Sequence, residues 1–271
     1  MSDNHLFSRL TAFAESHPNK IFATQPDAPA QTYGKTVQNA LRLAASLCAA
    51  GLKPGDRVAV QVEKSLTAIE LYLATVAAGG IFLPLNTAYT ANELAYFLND
   101  AAPAIVVCDP ARKAEIAPLA GPAHIFTLDA SGQGSLAAAL TYAIIAPVPR
   151  TADDLAAILY TSGTTGRSKG AMLSHDNLYS NAAALKDHWR FTSEDVLIHA
   201  LPIFHTHGLF VATNIALVSG ATLHFLKSFS PDQIIAALPT ATSLMGVPTF
   251  YTRLLQDPRL TPELCATMRL F

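Results

Sequence analysis

A run of glycines, hydroxyls and cations from Tyr160 to Gly170, YTSGTTGRSKG, is the segment of this chain best suited to chemistry. Its three glycines allow consecutive backbone N–H groups to turn toward one point, and such a concavity binds anions. Five Ser and Thr hydroxyls add hydrogen-bond donors, and Lys169 adds a compact positive charge. The run follows an apolar segment and precedes a helix expected to begin near Ser174. It therefore predicts a polyphosphate loop, and a flexible Ser/Gly linker is the less favoured interpretation.

The spacing within this loop differs from two common nucleotide-binding patterns. A Walker loop places Ser or Thr directly after its lysine to hold the metal, but here Gly170 follows Lys169. A dinucleotide fingerprint needs a second glycine two residues before Gly163, where the chain has Thr161. Both P-loop kinases or GTPases and Rossmann enzymes are therefore disfavoured.

Composition excludes further classes. The 271 residues are 51% hydrophobic, which is enough for a substantial core. A formal net charge of −2 with 14% charged residues offers no basic face for nucleic acid or an anionic membrane. The longest apolar stretch, 71–85, is interrupted by glycine and proline and is shorter than the ~20 residues of a membrane span. The three widely separated cysteines, Cys48, Cys108 and Cys265, favour free thiols in a reducing cytoplasm.

Apolar runs typical of buried strands alternate with segments of helical spacing. We expect strands at 57–62, 81–85, 104–108, 124–128, 155–160, 195–201, 221–226 and 242–247, and helices at 65–78, 92–100, 175–189, 207–218, 231–238 and 248–256. This alternation predicts an α/β fold with parallel sheets flanked by helices, whose ligands bind at the carboxyl ends of the strands. Residues 130–150 lack periodicity, so we expect one α/β lobe at 1–150 and a second, carrying the phosphate loop, at 151–271.

Two histidines, His205 and His207, follow the strand expected at 195–201. The pattern H-x-H occurs in metal sites, but no carboxylate or cysteine lies nearby in the sequence to complete a ligand set, so we predict no metal site. Histidines at the start of a helix and histidines that contact substrate both remain possible interpretations.

Arg253 lies in the segment TSLMGVPTFYTRLL, after the strand expected at 242–247. An arginine on a helix is by default solvated. Its position near the ligand edge also suits the second carboxylate of a dicarboxylate substrate, which a guanidinium holds with two hydrogen bonds.

The loop resembles the signature TSGTTGxPKG of the adenylate-forming superfamily, which includes acyl-CoA synthetases, luciferases and nonribosomal peptide adenylation domains. Ser168 stands where that signature has proline, which relaxes the turn but leaves the glycines and Lys169 in place. The resemblance implies that the phosphates of ATP bind to the loop. The implied contacts are Thr161, Ser162, Gly163, Thr164, Thr165, Gly166, Arg167, Ser168 and Lys169.

Three segments narrow the resemblance to the malonyl-CoA synthetase family: TSGTTGRSKGAMLSH, WRFTSEDVLIHALPIFHTHGLFVATN and LMGVPTFYTRLLQDPRL. It implies a ligase of fatty acid metabolism that converts malonate, or methylmalonate, with ATP, Mg²⁺ and CoA into malonyl-CoA, AMP and diphosphate through a malonyl-adenylate. Lys169 and His205 would be catalytic, with His205 at the junction of carboxylate and phosphate. His207 would line the acyl pocket, and Arg253 would hold the distal carboxylate.

The resemblance covers only the N-terminal part of that family's chain. Residues 268–271, MRLF, read as the entry to a further strand, so we expect a truncated chain. The missing C-terminal domain, adenine-contacting loop, magnesium-binding Thr-Glu pair, ribose-binding aspartate and late catalytic lysine would leave this chain alone inactive. Two other interpretations stay open: another short- or medium-chain acyl-CoA synthetase, and a non-catalytic nucleotide-binding half.

Overall fold

The computed structural model describes residues 3–26, 28–161 and 168–271, and in these ranges ten α-helices alternate with eleven strands. The strands are β1 (Ile21–Gln25), β2 (Ala28–Thr32), β3 (Arg57–Gln61), β4 (Ile81–Pro84), β5 (Ile105–Cys108), β6 (His124–Thr127), β7 (Leu155–Thr161), β8 (Lys169–Ser174), β9 (Val196–His199), β10 (Thr222–Phe225) and β11 (Ser243–Met245). The helices are α1 (His5–Ser16), α2 (Tyr33–Ala49), α3 (Leu66–Ala77), α4 (Ala91–Ala101), α5 (Lys113–Ile116), α6 (Ser135–Ala138), α7 (His175–His188), α8 (Asn214–Ser219), α9 (Pro231–Ala237) and α10 (Pro248–Leu255). The expected α/β class is confirmed.

Three short 3₁₀ segments and one π-helix complete the described elements. The 3₁₀ segments are Pro110–Arg112, Ala117–Leu119 and Leu238–Thr240, and the π-helix is His207–Thr213. None of the helices in the described ranges has the length and apolar character that spanning a bilayer requires.

The first sheet has six strands in the order β6-β5-β3-β4-β7-β8. Its neighbours are parallel except for β7 and β8, which are antiparallel. Helix α4 packs one apolar face on this sheet, where Leu94, Phe97 and Leu98 join a buried cluster with Val106 and Cys108 of β5. Each such fully buried side chain contributes about 1.5–3 kcal/mol to folding. This packing fixes α4 beside the strands that carry the glycine-rich loop.

The second sheet has five strands in the order β11-β9-β10-β1-β2. It is parallel from β11 to β1, and β2 is added antiparallel at one edge. A buried cluster that includes Ile198, Leu244 and Leu254 packs α9 and α10 against β9 and β11. Ser230 caps α9 by accepting the N–H of Gln233, and Pro248 begins α10.

The chain separates into two compact units whose boundaries differ from the expected division at residue 150. One unit contains Met1–Arg9 and Val37–Tyr179, and the other contains Leu10–Thr36 and Ser180–Phe271. The physical reason is strand pairing: β7 pairs in parallel with β4, so the strand that leads into the glycine-rich loop belongs to the first sheet. β1, near the N-terminus, instead pairs with β10.

The end of the described chain is held to the second unit by a charged pair. Leu270 forms an isolated parallel bridge with Ser243 of β11. Next to it, Arg269 donates to both carboxylate oxygens of the buried Asp195 at 2.7 Å each. Burial opposes ionisation of Asp195, but hydrogen bonds from Arg269, Thr242 and Thr192 outweigh it and lower the pKa of this carboxyl. Asp195 is therefore a buried anion that depends on Arg269.

We expect Arg269→Met to lower the free energy of unfolding by about 1–3 kcal/mol, because it leaves a buried carboxylate without its charged partner. Chemical denaturation followed by far-UV circular dichroism measures this loss. Arg259→Met is the matched control, because Arg259 pairs with Asp257 and Asp232 on the surface. It should lower the free energy of unfolding less than Arg269→Met does. Equal losses in the two variants would contradict the role given to the buried pair.

Candidate active site

The glycine-rich loop connects the two antiparallel strands β7 and β8. Their ladder ends with Tyr160 opposite Gly170 and Thr161 opposite Lys169. Thr161 and Lys169 are exposed at this end, and Ser168 is half-buried. The other proposed phosphate contacts, Ser162, Gly163, Thr164, Thr165, Gly166 and Arg167, lie outside the described residues. The expected strand and α7 are confirmed, but β8 lies between the loop and the helix, where no strand is expected from the sequence.

Gly170 has a packing reason to be glycine. A Cβ atom at this position would lie 3.0 Å from Cγ2 of Ile158 and 3.5 Å from the ring of Tyr160. The distance to the Tyr160 ring is an ordinary contact, so the close approach at this position is to Ile158. Gly170, which ends the glycine-rich run but is not among the expected phosphate contacts, therefore serves the packing of the strand pair.

Three parallel strands of the second sheet end at one level. His199, the last residue of β9, is opposite Phe225 of β10 and Met245 of β11. The chain leaves the sheet at this carboxyl edge three times, toward the histidine segment, toward α9 and toward α10. Ligands of α/β folds bind at such edges. The structure thus brings the segments that bear His205, His207 and Arg253 to one edge of one sheet, within one unit.

The histidine segment turns into a π-helix, His207–Thr213, where the sequence predicted an ordinary α-helix. A Cβ atom on Gly208 would lie 2.1 Å from the carbonyl oxygen of Pro202, so this position admits only glycine. The buried His199 donates from Nε2 to the Gly208 carbonyl at 2.7 Å, and Thr213 donates to the same oxygen at 3.0 Å. π-Helical turns are found frequently at functional sites. His199 and Thr213 are residues whose role the sequence alone did not reveal.

His205 and His207 are held as neutral imidazoles at neutral pH. Partial burial lowers the pKa of each below its ordinary value, because the charged form loses hydration. His205 is exposed just before the π-helix, with its ring edge-on to Phe204 at 4.6 Å between centroids. A neutral imidazole can donate one hydrogen bond and accept another, which suits contact with a carboxylate or phosphate oxygen.

Arg253 lies in the last turn of α10 and is exposed. Its guanidinium stands 4.7 Å from the centroid of Phe229, a residue of the segment that leaves β10. Phe229 in turn stacks on Phe250 with 4.1 Å between ring centroids. Stacking of this kind holds a guanidinium in a defined plane while its N–H groups remain available for an anion.

An open cavity of about 470 Å³ adjoins this arginine. Its lining residues are Pro231, Arg253, Gln256, Asp257, Pro258 and Arg259. Hydrogen bonds from Arg259 lower the pKa of Asp257 to about 2, so the carboxylate is ionised and paired. Asp232 pairs with the same guanidinium as Asp257, so two carboxylates compensate the charge of Arg259 at this cavity.

Within the described ranges, no group of three His, Cys, Asp or Glu side chains could hold a metal ion. The pattern His205-Thr206-His207 thus lacks a third ligand among these residues.

Comparison with known proteins assigns the family. Residues 10–269 match the AMP-binding enzyme family, so the chain belongs to it. The whole chain superposes on crystal structures of MatB from Rhodopseudomonas palustris with a TM-score of 0.95 and 55% sequence identity, and covers 54% of that protein's chain. One of those structures contains ATP.

Two curated relatives extend the comparison. A feruloyl-CoA synthase from Amycolatopsis is 33% identical over 232 residues, which are 85% of this chain and 46% of the relative. A malonate–CoA ligase from Arabidopsis thaliana is 27% identical over 93% of this chain and 49% of the relative. This chain therefore spans about half the length of each of these two relatives and of MatB.

We expect Gly208→Ala to destabilise the protein by more than about 2 kcal/mol, because the added methyl group collides with a backbone carbonyl that cannot move away freely. Thermal unfolding and denaturant titration measure the loss. Gly121→Ala is the matched control: its φ of +57° strains any side chain, but nothing lies within 4 Å, so about 1 kcal/mol is expected. A Gly208→Ala variant as stable as the control would show that the close approach to Pro202 is not required.

Proposed function

We propose that the encoded protein is an acid–thiol ligase that activates malonate with ATP and transfers the malonyl group to CoA, releasing AMP and diphosphate. The observation that carries this proposal is the sequence YTSGTTGRSKG placed between two antiparallel strands, in a chain of the AMP-binding enzyme family. All of this chain resembles part of MatB, and the ATP-bound MatB structures support the assignment of ATP as a substrate.

Lys169 and the loop residues Thr161–Ser168 would bind the β- and γ-phosphates of ATP. Exposure of Lys169 at the end of the β7–β8 ladder leaves its ammonium group accessible to a triphosphate. Backbone N–H groups between glycines, with Ser and Thr hydroxyls, would supply the remaining donors. These groups neutralise the charge that develops on the leaving diphosphate, which is where such enzymes gain rate.

In the first step, one oxygen of the substrate carboxylate attacks the α-phosphorus of ATP. A bond forms from that oxygen to phosphorus, the bond to the bridging oxygen breaks, and diphosphate leaves with the electron pair. The product is a mixed anhydride, malonyl-adenylate. In the second step the CoA sulfur attacks the acyl carbon and AMP leaves. Little covalent help is needed from the protein, so positioning supplies most of the rate.

His205 would stand at the junction of carboxylate and phosphate. Its depressed pKa keeps the ring neutral, so it would orient the attacking oxygen by hydrogen bonding without attracting it as a counterion. His207, which opens the π-helix, would form part of the wall of the acyl pocket.

Arg253 would hold the distal carboxylate of the acid. Malonate–CoA ligases among the relatives favour a dicarboxylate, and the guanidinium beside a cavity of about 470 Å³ suits such a ligand. Methylmalonate is the closest variant of this substrate and would use the same contact.

In this proposal Mg²⁺ binds together with the triphosphate of ATP. Since the described residues contain no cluster of ligands for it, we assign no Mg²⁺ ligand to this chain. The free thiols of Cys48, Cys108 and Cys265 suit the reducing cytoplasm in which we place the protein.

A second candidate is another short- or medium-chain acyl-CoA synthetase. The feruloyl-CoA synthase among the relatives supports it, because a similar chain there serves an acid of another kind. A third candidate is a non-catalytic nucleotide-binding half, which would bind ATP without malonate-dependent exchange of diphosphate.

We expect Lys169→Ala to lower malonate-dependent ATP–diphosphate exchange in the encoded protein at least about tenfold, since one charge-assisted contact to a phosphate is lost. Exchange of labelled diphosphate into ATP measures the rate. Lys53→Ala removes another exposed lysine of the same unit and should leave the rate unchanged. If Lys169→Ala exchanged diphosphate into ATP at the wild-type rate, the loop would have no role in the mechanism.

We expect Arg253→Leu to reduce kcat/KM for malonate about 10- to 100-fold, as loss of a bidentate charged pair implies, while kcat/KM for butyrate stays the same or rises. Arg253→Lys keeps the charge but not the planar pair of donors. Its kcat/KM for malonate should therefore lie between those of the wild type and Arg253→Leu. Coupled assays of AMP release with each acid measure the change. An unaltered preference for malonate in Arg253→Leu would favour the second candidate.

A further inference from the structure

Helix α4 is a rigid element. Thr90 and Glu93 form a reciprocal capping box at its start, and Ala102 ends it in the left-handed conformation with a φ of 42°. Its buried face packs on the first sheet through Leu94, Phe97 and neighbouring residues. A helix fixed at both ends and along one face can serve as a reference position for whatever contacts its other residues.

Two side chains of α4 reach the two limbs of the β7–β8 hairpin. Tyr96 donates its hydroxyl to the carbonyl oxygen of Ser168 at 2.8 Å. Asp100 accepts the hydroxyl of Tyr160 at 2.5 Å. Tyr96 and Asp100 are four residues apart, so they lie on one face of the helix. We name these two hydrogen bonds the hairpin clamp.

The clamp acts where the strand ladder stops. The last pair of the ladder joins Thr161 to Lys169, and Ser168 lies one residue beyond it. The bond from Tyr96 therefore fixes the backbone past the last ladder pair. On the other side of Lys169, Gly170 is opposite Tyr160 in the strand ladder. Both chain neighbours of Lys169 are thus held by residues of the clamp.

Packing supports the Tyr160 half of the clamp. The ring of Tyr160 lies 4.4 Å from that of Phe97 and 6.1 Å from that of Tyr96, measured between centroids. Burial, and then the hydrogen bond to Asp100, raise the pKa of Tyr160 well above its ordinary value. The phenol therefore remains a donor to Asp100 at every physiological pH.

We propose that Tyr96 and Asp100 are positioning residues for nucleotide binding, which hold the hairpin so that Lys169 and the flanking backbone face the triphosphate together. This inference rests on the proposed function, because it gives the clamped loop its ligand. Neither residue touches the nucleotide in this proposal. Their effect passes through Ser168 and Tyr160 to Lys169.

The experiment compares variants of the encoded protein by isothermal titration with ATP and by ATP–diphosphate exchange. Tyr96→Phe removes one hydroxyl, and Asp100→Ala removes the acceptor for the other. Each should weaken ATP binding and raise the KM for ATP about fivefold, the equivalent of about 1 kcal/mol for one hydrogen bond. The KM for the acid and the midpoint of thermal unfolding should change little. A loss confined to the nucleotide is a pattern that general destabilisation would not give.

Three further variants sharpen the result. Tyr89→Phe removes a hydroxyl from the same aromatic cluster, 4.8 Å from Phe97 between centroids but outside the clamp, and should bind ATP as the wild type does. Asp100→Asn keeps an oxygen acceptor for Tyr160 and should recover most of the affinity lost in Asp100→Ala. The double variant Tyr160→Phe/Asp100→Ala should lose no more than Asp100→Ala alone, since both changes remove one bond.

The outcomes separate this inference from the proposed function. If Lys169→Ala weakens ATP binding while Tyr96→Phe and Asp100→Ala do not, the clamp is refuted and the proposed function stands. If Lys169→Ala also binds ATP as the wild type does, or if the wild type does not bind ATP, the proposed function fails and the inference with it. Equal rises in the KM for ATP and for the acid would assign the clamp to general stability and overturn it.

Discussion

The arrangement of the first unit depends on the two pairings of β7. On one side β7 lies parallel to β4, which anchors it within a sheet of buried strands. On the other side it lies antiparallel to β8, which returns the chain at Lys169. A parallel neighbour must be reached through a long crossover, whereas an antiparallel one needs only a short connection. The glycine-rich loop is that connection, so its ends are fixed by a sheet whose register is set elsewhere in the chain.

Much of this fold can be predicted from the sequence because its central strands are buried on both faces. Such strands appear as continuous apolar runs, and β3, β4 and β5 were expected within two residues of their observed bounds. The expected bounds of α9 and α10 also lie within one residue of those observed. The same alternation of strands and helices predicts that the histidine segment and the segment bearing Arg253 follow strand ends at one edge of the second sheet.

The features that could not be predicted depend on non-local contacts or on weak local signals. β2 is exposed or half-buried along its length, and β8 is likewise exposed on much of its surface, so neither has the apolar pattern of a core strand. The division into units depends on β1 pairing with β10, about 200 residues away, as Ala23 opposite Leu223 shows. In the π-helix, Gly208 approaches the carbonyl oxygen of Pro202 too closely for a Cβ atom, and the contacts of α4 with the hairpin join residues 60 or more positions apart. The spacing of residues along the chain does not predict such contacts.

The proposed preference for a dicarboxylate follows from the cost of binding an apolar acid at this edge of the second sheet. His205 and His207 are neutral, so Arg253 is the permanent charge among the three proposed acid contacts. An apolar acyl chain laid over Arg253 would remove water from the guanidinium and return no hydrogen bond, and an unpaired buried charge costs several kcal/mol. A second carboxylate would replace that water with two charge-assisted bonds. Selectivity of this kind comes chiefly from rejection of the apolar acid. It requires that Arg253 stays at this edge, a position that its contact with Phe229, itself stacked on Phe250, favours by about 0.5–1 kcal/mol.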